Sequence, residues 1–258
     1  MRVSWVQEDS FMAVQTVFKR YELKYMLTLE QKAKVLAAMQ PYMKLDKYGR
    51  TTIRNIYYDT DTYLLIRRSI EKPAYKEKLR IRSYSRADRD STVFVELKKK
   101  YKSIVYKRRI SLPEEEAMEW ISGNRHCHKH TQIANEIDYF LDYYKTLHPA
   151  VFLSYEREAF YARDGSDFRV TFDDNILCRQ EDLSLESEVY GTPILPEGKV
   201  LMEIKCSGGI PLWMTHVLSE EKIYKTSFSK YGTAYGMLIF PKTHATNSYH
   251  MLEVATNA

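Results

Sequence analysis

Residues 75–84 read YKEKLRIRSY and residues 92–101 read TVFVELKKKY. In both runs charged side chains alternate with apolar ones, which is the period of a β-strand with two different faces. Lys78, Arg80 and Arg82 would share one face, and the leucine and isoleucine between them would share the other. An antiparallel sheet packs its apolar face on a core and leaves its second face polar. The two runs therefore predict neighbouring strands with a common cationic face.

The same alternation recurs along most of the chain, in runs rich in β-branched and aromatic residues. Eight such runs have strand character: 16–26, 53–59, 75–84, 92–101, 103–111, 151–162, 168–174 and 200–206. Eight strands joined mostly by short turns predict an α+β fold, an eight-stranded antiparallel closed β-barrel with helices packed outside it.

Helix signals occur between these runs. A Thr-x-x-Gln capping box at Thr28 opens the first helix, and Pro113 followed by three glutamates opens the second. Helices are also predicted over 131–147 and from Pro211, with a further turn or helix at 229–238. With no internal repeat or linker, we expect one domain over residues 1–258.

The charged face of the predicted strands is strongly basic. Its twelve cations are Arg20, Lys24, Lys78, Arg80, Arg82, Lys98, Lys100, Lys107, Arg109, Arg157, Arg169 and Lys205. Its four anions are Glu22, Glu96, Asp173 and Glu203. This excess of cations is greater than the net charge of +5 on the whole chain. Like charges on facing strands destabilise a sheet, so we expect a polyanionic ligand inside a tunnel rather than a solvated face.

Phosphate is the anion that these side chains suit best, because Arg offers a planar fork and Lys a compact point charge. Glu22, Glu96 and Glu203 are candidate ligands for Mg²⁺ or Mn²⁺, which take oxygen donors and bridge phosphates. No Gly-x-x-x-x-Gly-Lys-Ser/Thr or Gly-x-Gly-x-x-Gly loop is present, which argues against a P-loop or Rossmann nucleotide site.

Nine motifs in order, from about residue 16 to 240, resemble the polyphosphate polymerase domain of the vacuolar transporter chaperone (VTC) family, within the triphosphate tunnel metalloenzyme superfamily. They are Arg20-Tyr-Glu-Leu-Lys24-Tyr25, Asn55-Ile-Tyr57-Tyr58-Asp59-Thr60, Lys78-Leu-Arg80-Ile-Arg82-Ser-Tyr84, Phe94-Val-Glu96-Leu-Lys98, Tyr106-Lys107-Arg-Arg109, Tyr155-Glu-Arg157-Glu-Ala-Phe160, Arg169-Val-Thr-Phe-Asp173, Glu203-Ile-Lys205 and Ser227-Phe-Ser-Lys230-Tyr231. The superfamily opens with Glu-x-Glu-x-Lys, whereas this chain has Arg20 at the first position.

The resemblance implies transfer of the ATP γ-phosphate onto a growing polyphosphate chain, helped by Mn²⁺ or Mg²⁺. The catalytic residues it implies are Arg80, Arg82, Lys98, Lys107 and Glu203. By motif position the same four cations, with Lys24, Arg157 and Lys230, match phosphate-binding residues of the family. Arg109, Tyr155 and Lys205, on the same charged face, are further candidate substrate-binding residues. A triphosphatase or polyphosphatase, or a non-catalytic polyphosphate-binding subunit, remains an alternative function.

The cysteine count and the hydropathy pattern indicate where the protein is located and what it binds. Three widely spaced cysteines argue against a disulfide framework, and no apolar run is long enough to span a membrane. We expect a cytoplasmic protein that binds ATP and polyphosphate but no nucleic acid, with a membrane reached only through a partner; the oligomeric state stays open. The cluster His126, Cys127, His128 and His130 is interpreted as a solvated loop rather than a zinc site.

Overall fold

The computed structural model describes residues 21–102 and 104–241, which form ten strands, six α-helices and one π-helical turn. The strands are β1 (Tyr21–Thr28), β2 (Met43–Asp59), β3 (Tyr75–Ser83), β4 (Thr92–Tyr101), β5 (Ile104–Pro113), β6 (His148–Ala162), β7 (Arg169–Arg179), β8 (Thr192–Pro193), β9 (Lys199–Cys206) and β10 (Lys225–Thr226). The helices are α1 (Leu29–Met39), α2 (Leu64–Ile70), α3 (Glu114–Ile121), α4 (Gln132–Tyr144), α5 (Leu212–Glu220) and α6 (Lys230–Ala234), and the π-turn is Tyr235–Ile239.

All ten strands belong to one antiparallel sheet in the order β10-β1-β9-β7-β6-β2-β3-β4-β5, with β8 added beside β7. The α+β class is confirmed, but the eight-stranded closed barrel is wrong. Over the described residues β5 and β10 are the two ends of the strand path, with no backbone pairing between them. β10 has only two residues, so it could offer only a short ladder to a closing strand.

The sheet is nevertheless curled, because side chains from its two halves meet. β1 lies next to one end of the strand path and β4 next to the other. Even so, the Lys98 Nζ on β4 lies 2.8 Å from the Glu22 Oε2 on β1. The concave face defined by this contact carries the charged residues of the predicted tunnel.

Helices cover the opposite, convex face, where the apolar alternate residues lie. α3 and α4 bury Trp120 and Ile137 against Leu79 and Val95 of the central hairpin. At the other end of the strand path, α1 and α5 pack against β1, β7 and β9. Because each strand gives one face to this core, its alternate charged side chains are left on the concave side.

The short helix α6 lies on the concave side. The ring of its Tyr231 stacks on Tyr57 of β2 at a centroid distance of 4.9 Å and is buried. Tyr231 also donates a hydrogen bond of 2.8 Å to the carboxylate of Asp59, which in turn accepts from the backbone N–H groups of Leu65 and Ile66 in α2. Asp59 therefore ties the end of β2 to both α2 and α6.

Most predicted elements occur, with shifted boundaries. The capping box at Thr28 is present with both of its hydrogen bonds, and the helices from Pro113 and Pro211 begin at the following residue. The start of the first predicted strand, residues 16–20, lies outside the described residues. Helix α2 and the strands β8 and β10 were not predicted, because a seven-residue helix and two-residue strands give almost no periodic signal.

Among the described residues, no helix is long and apolar enough to cross a membrane.

Candidate functional site

Glu96 is a buried carboxylate of the concave face, in the middle of the β3-β4-β5 hairpins. The strand register places it directly opposite Arg80 on one side and Arg109 on the other. Arg80 donates two hydrogen bonds to Oε2, at 2.8 and 2.6 Å, while Arg109 Nε donates to Oε1 at 2.7 Å and Lys107 Nζ at 2.8 Å. Arg82 Nη2 is 3.8 Å away. One carboxylate thus holds four cations in place.

This arrangement sets the charge states of the cluster around Glu96. Burial would raise the pKa of its carboxyl, but Arg80, Arg82, Lys107 and Arg109 hold the pKa well below its usual range. Glu96 is therefore an anion at neutral pH. Burial lowers the pKa of Lys107 to about 7, so this lysine carries only part of a positive charge at neutral pH. The single negative charge of Glu96 is still outnumbered by Arg80, Arg82 and Arg109, which favours the binding of a further anion.

A second cluster lies on β6 and β7, around Asp173. Its carboxylate is fully buried and accepts 2.6 and 2.7 Å hydrogen bonds from the fork of Arg157, its cross-strand partner. Lys230 of α6 donates a 2.5 Å hydrogen bond to the same carboxylate. Burial opposes ionisation, yet Lys230 and Arg157 lower the pKa of Asp173 to about 2.

Tyr155 links these two clusters. Arg157 and Lys230 lie over its ring, at 5.0 and 4.5 Å from the centroid, and Arg82 Nη2 lies 3.4 Å from its hydroxyl. Burial would raise the pKa of the phenol, but Arg157, Arg82 and Lys230 lower it to about 8. Asp173 acts in the opposite direction, but the three cations outweigh it, so the phenol is a suitable partner for an anionic oxygen.

The third cluster lies on β1 and β9, where Lys24 faces Glu203 and Glu22 faces Lys205 across the strands. Lys205 Nζ is 3.0 Å from Glu203 Oε1. Burial acts to raise the pKa of Glu203, but Lys205, Lys24 and other cations hold it well below the usual range. Both carboxylates of this cluster therefore carry charge at neutral pH, since the pKa of Glu22 is lowered as well.

Lys78 stands out as a site residue that the sequence analysis placed on the charged face but did not assign to the site. Its Nζ is 3.1 Å from the hydroxyl of Ser229, and no carboxylate of the described residues forms an ion pair with it. Burial, followed by repulsion from Lys24 and Lys98, lowers the pKa of Lys78 to about 7. An uncompensated buried lysine is costly, and a bound anion would remove that cost.

Asn55 and Tyr57 on β2 orient two arginines of the site, a role that the sequence pattern did not predict. Arg80 Nη1 donates to the Tyr57 hydroxyl at 2.7 Å, and Arg82 Nε donates to the Asn55 side-chain oxygen at 3.0 Å. Their register opposite Arg82 and Arg80 is the signal that could have found them. Neutral partners fix the guanidinium planes without cancelling their charge.

The structure therefore brings the predicted residues onto one curled surface in three clusters, with Lys98 joining β4 to β1 through Glu22. Arg20 lies outside the described residues, and the catalytic and binding roles of the others stay predictions. In the loop 126–130, Cys127 is buried in the core and His128 pairs with Glu116. No group of three or more His, Cys, Asp or Glu side chains suited to a metal occurs among the described residues.

The family of the chain is shown by its sequence signature: the VTC domain model matches residues 19–239. The chain belongs to the VTC domain family. None of the curated proteins matches the chain.

Two solved structures are similar in fold. A proposed adenylate cyclase from Bacillus halodurans has a TM-score of 0.52 and 14% identity over 83% of this chain and 95% of that protein. A proposed adenylyl cyclase from Hippeastrum, described as having a dominant triphosphatase activity, has a TM-score of 0.50 and 14% identity over 84% and 96% of the two chains. At such identities the likeness shows the fold alone.

Proposed function

We propose that the protein is a metal-dependent polyphosphate polymerase, which transfers the γ-phosphate of ATP onto a growing polyphosphate chain on the concave face. The observation that carries the proposal is Lys78, a partly buried lysine that forms no ion pair with a carboxylate of the described residues, beside the four cations that share Glu96. Membership of the VTC domain family supports phosphate polymers as the substrate class.

Glu203 and Glu22 are the residues that would hold Mg²⁺ or Mn²⁺. Both carry charge, and the hydroxyl of Thr171, cross-strand from Glu203, is buried without a hydrogen-bond partner. Two carboxylates suffice for such an ion when phosphate oxygens and water complete its shell. The bound ion would supply charge neutralisation to the phosphate oxygens. Glu96 fits this role less well, because four cations surround its two oxygens.

The chain's own residues position the reactants. Arg80 and Arg82, held by Tyr57 and Asn55, would bind the triphosphate. Lys107 would help to neutralise the negative charge of the triphosphate. A terminal oxygen of the acceptor chain attacks the γ-phosphorus, the bond to the β,γ-bridging oxygen breaks, and ADP leaves with that electron pair. The attacking oxygen is already anionic, so positioning and electrostatics suffice and no strong general base is needed.

Hydrolysis of triphosphate is the second candidate, and the triphosphatase activity of the Hippeastrum protein of similar fold favours it. The same cations would then hold the triphosphate while water replaces the acceptor chain. A non-catalytic polyphosphate-binding subunit would use the same surface without turnover.

Incubation of the purified protein with ATP and Mn²⁺, followed by gel electrophoresis and phosphorus NMR, separates these functions. The proposal predicts ADP and a lengthening polymer. Free phosphate without polymer would replace it with the triphosphatase, and tight polyphosphate binding without turnover would leave a binding subunit.

A further inference from the structure

The cationic surface continues beyond the site along β3 and β4. Lys76 and Lys100 are cross-strand partners, two residues outward along each strand from the facing pair Lys78 and Lys98. Both are partly buried. Two residues along a strand span roughly 7 Å, so this outer lysine pair, Lys76 and Lys100, lies one side-chain row from the site.

The strand alternation places the outer lysine pair on the concave side. Lys76 is two residues from Lys78, and Lys100 is two residues from Lys98, so each pair of neighbours on a strand shares a face. The intervening residues Glu77 and Lys99 face each other on the other side of the sheet, with 3.8 Å between Lys99 Nζ and Glu77 Oε1. Lys99, on the convex face, is therefore paired with the carboxylate of Glu77.

Among the described residues, the outer lysine pair has no carboxylate partner. The Lys76 ammonium donates a 3.1 Å hydrogen bond to the carbonyl of Ser69, and neither lysine forms an ion pair with another of the described residues. Burial, and then repulsion by Lys100, Lys72 and Lys98, lowers the pKa of Lys76. Two facing lysines in a sheet repel each other unless an anion lies between them.

We infer that the outer lysine pair is a separate subsite for the phosphates of a polyphosphate chain that extend past the reacting triphosphate. The inference rests on the proposed function and adds a determinant of chain length. A triphosphate held by Arg80, Arg82 and Lys107 leaves the outer row empty, whereas a longer chain running along β3 and β4 neutralises it. Long polyphosphate therefore binds more tightly than tripolyphosphate does, for a reason that lies outside the reacting centre.

The test compares the double variant Lys76→Gln/Lys100→Gln with wild type by calorimetric titration, using tripolyphosphate and long-chain polyphosphate at fixed salt. We expect affinity for the long chain to fall about five- to tenfold and affinity for tripolyphosphate to change less than about twofold. The slope of log affinity against log salt should fall by about one to two for the long chain alone. Lys99→Gln, on the same strand and the opposite face, is the matched control and should leave both affinities unchanged.

Equal losses for both ligands would overturn the inference, because the pair would then belong to the triphosphate site, and unchanged affinities would overturn it as well. Failure of the proposed function is distinct, because it would appear as the absence of ADP and lengthening polymer in the turnover assay, whatever the two affinities are. A circular dichroism spectrum and melting curve of the double variant establish that it is folded.

Discussion

At the scale of single residues, the site is a set of carboxylates too few for the cations around them. Glu96 is 1% exposed and holds four cations, and Asp173 is fully buried between Arg157 and Lys230. Each carboxylate fixes the positions of the neighbouring cations and compensates part of their positive charge. The protein is therefore preorganised to bind an anion.

Replacement of Glu96 by Gln tests this balance. Removing one partner of a buried charge cluster should lower the free energy of unfolding by about 3–5 kcal/mol, measured by urea denaturation. Tripolyphosphate should then raise the melting temperature of the variant more than that of wild type, because the ligand replaces the lost anion. Glu115→Gln, which removes an exposed partner of Arg89, is the control and should cost less than about 1 kcal/mol. An equal ligand effect in variant and wild type would contradict this account.

Arg80 is the cation that we expect to matter most for turnover. It is tied to both Glu96 and Tyr57, so its guanidinium is aimed before substrate arrives. Arg80→Ala should lower kcat about 10²–10³-fold, in a steady-state assay of ADP release. The circular dichroism spectrum should stay native. Full turnover would remove Arg80 from the site, and Arg89→Ala on the exposed surface should retain full activity.

Lys78 gives the binding reaction a pH dependence with a defined sign. With a pKa of about 7 in the free protein, it is largely neutral at pH 8 and cationic below pH 6. Lys24, Lys98, Lys76 and Arg80 are the charged groups that act on it, and a bound phosphate would counter all of them.

Tripolyphosphate binding at pH 8 should therefore take up about 0.9 proton through Lys78, and almost none at pH 6. Calorimetry in two buffers of different ionisation enthalpy measures this uptake. Lys78→Gln should remove the Lys78 part, whereas Lys99→Gln should not. The same uptake in wild type and Lys78→Gln would assign the proton to another group.

At the scale of elements, Asp59 at the end of β2 holds α2 and α6 in place. It accepts from two N–H groups at the start of α2 and from the Tyr231 hydroxyl, next to Lys230. Burial raises the pKa of Asp59 against these hydrogen bonds. The position of Lys230 over Asp173 thus depends on a residue outside the site.

Two substitutions separate the contributions of this connection. Asp59→Ala should destabilise the protein by about 2–4 kcal/mol, because several buried donors lose their acceptor. Tyr231→Phe should cost only about 1 kcal/mol, since the ring still stacks on Tyr57. Urea denaturation measures both. If Tyr231→Phe lowered the stability as much as Asp59→Ala, the hydrogen bond from Tyr231 would contribute more to stability than the two bonds from the α2 backbone.

At the scale of the whole molecule, the curled sheet meets itself through side chains. The ion pair between Lys98 and Glu22 joins β4 to β1, which lie near opposite ends of the strand order. The contact between Lys78 and Ser229 joins β3 to the start of α6. A phosphate chain on the concave face would add contacts to both halves. The two ends of the sheet, β1 with β10 and β4 with β5, should therefore become more rigid when ligand binds.

Hydrogen exchange tests this expectation. Tripolyphosphate should slow amide exchange in β1 as well as in the β4-β5 hairpin, since these strands lie near the two ends of the sheet. Phosphate at equal ionic strength is the control for a general salt effect. Protection confined to one half of the sheet would contradict binding across it.

The sequence by itself determined which residues share a face, because a strand's alternation is a local property of the backbone. It thereby determined the cationic surface, the α+β class and the family, whose motifs lie on successive strands. Only the tertiary structure decided how strongly the sheet curls, that its backbone ladder stays open, and which cations share Glu96 or Asp173. It also decided that Lys78 lies without a carboxylate. These features depend on twist, register and contacts between residues far apart in the chain, which alternation within one strand does not encode.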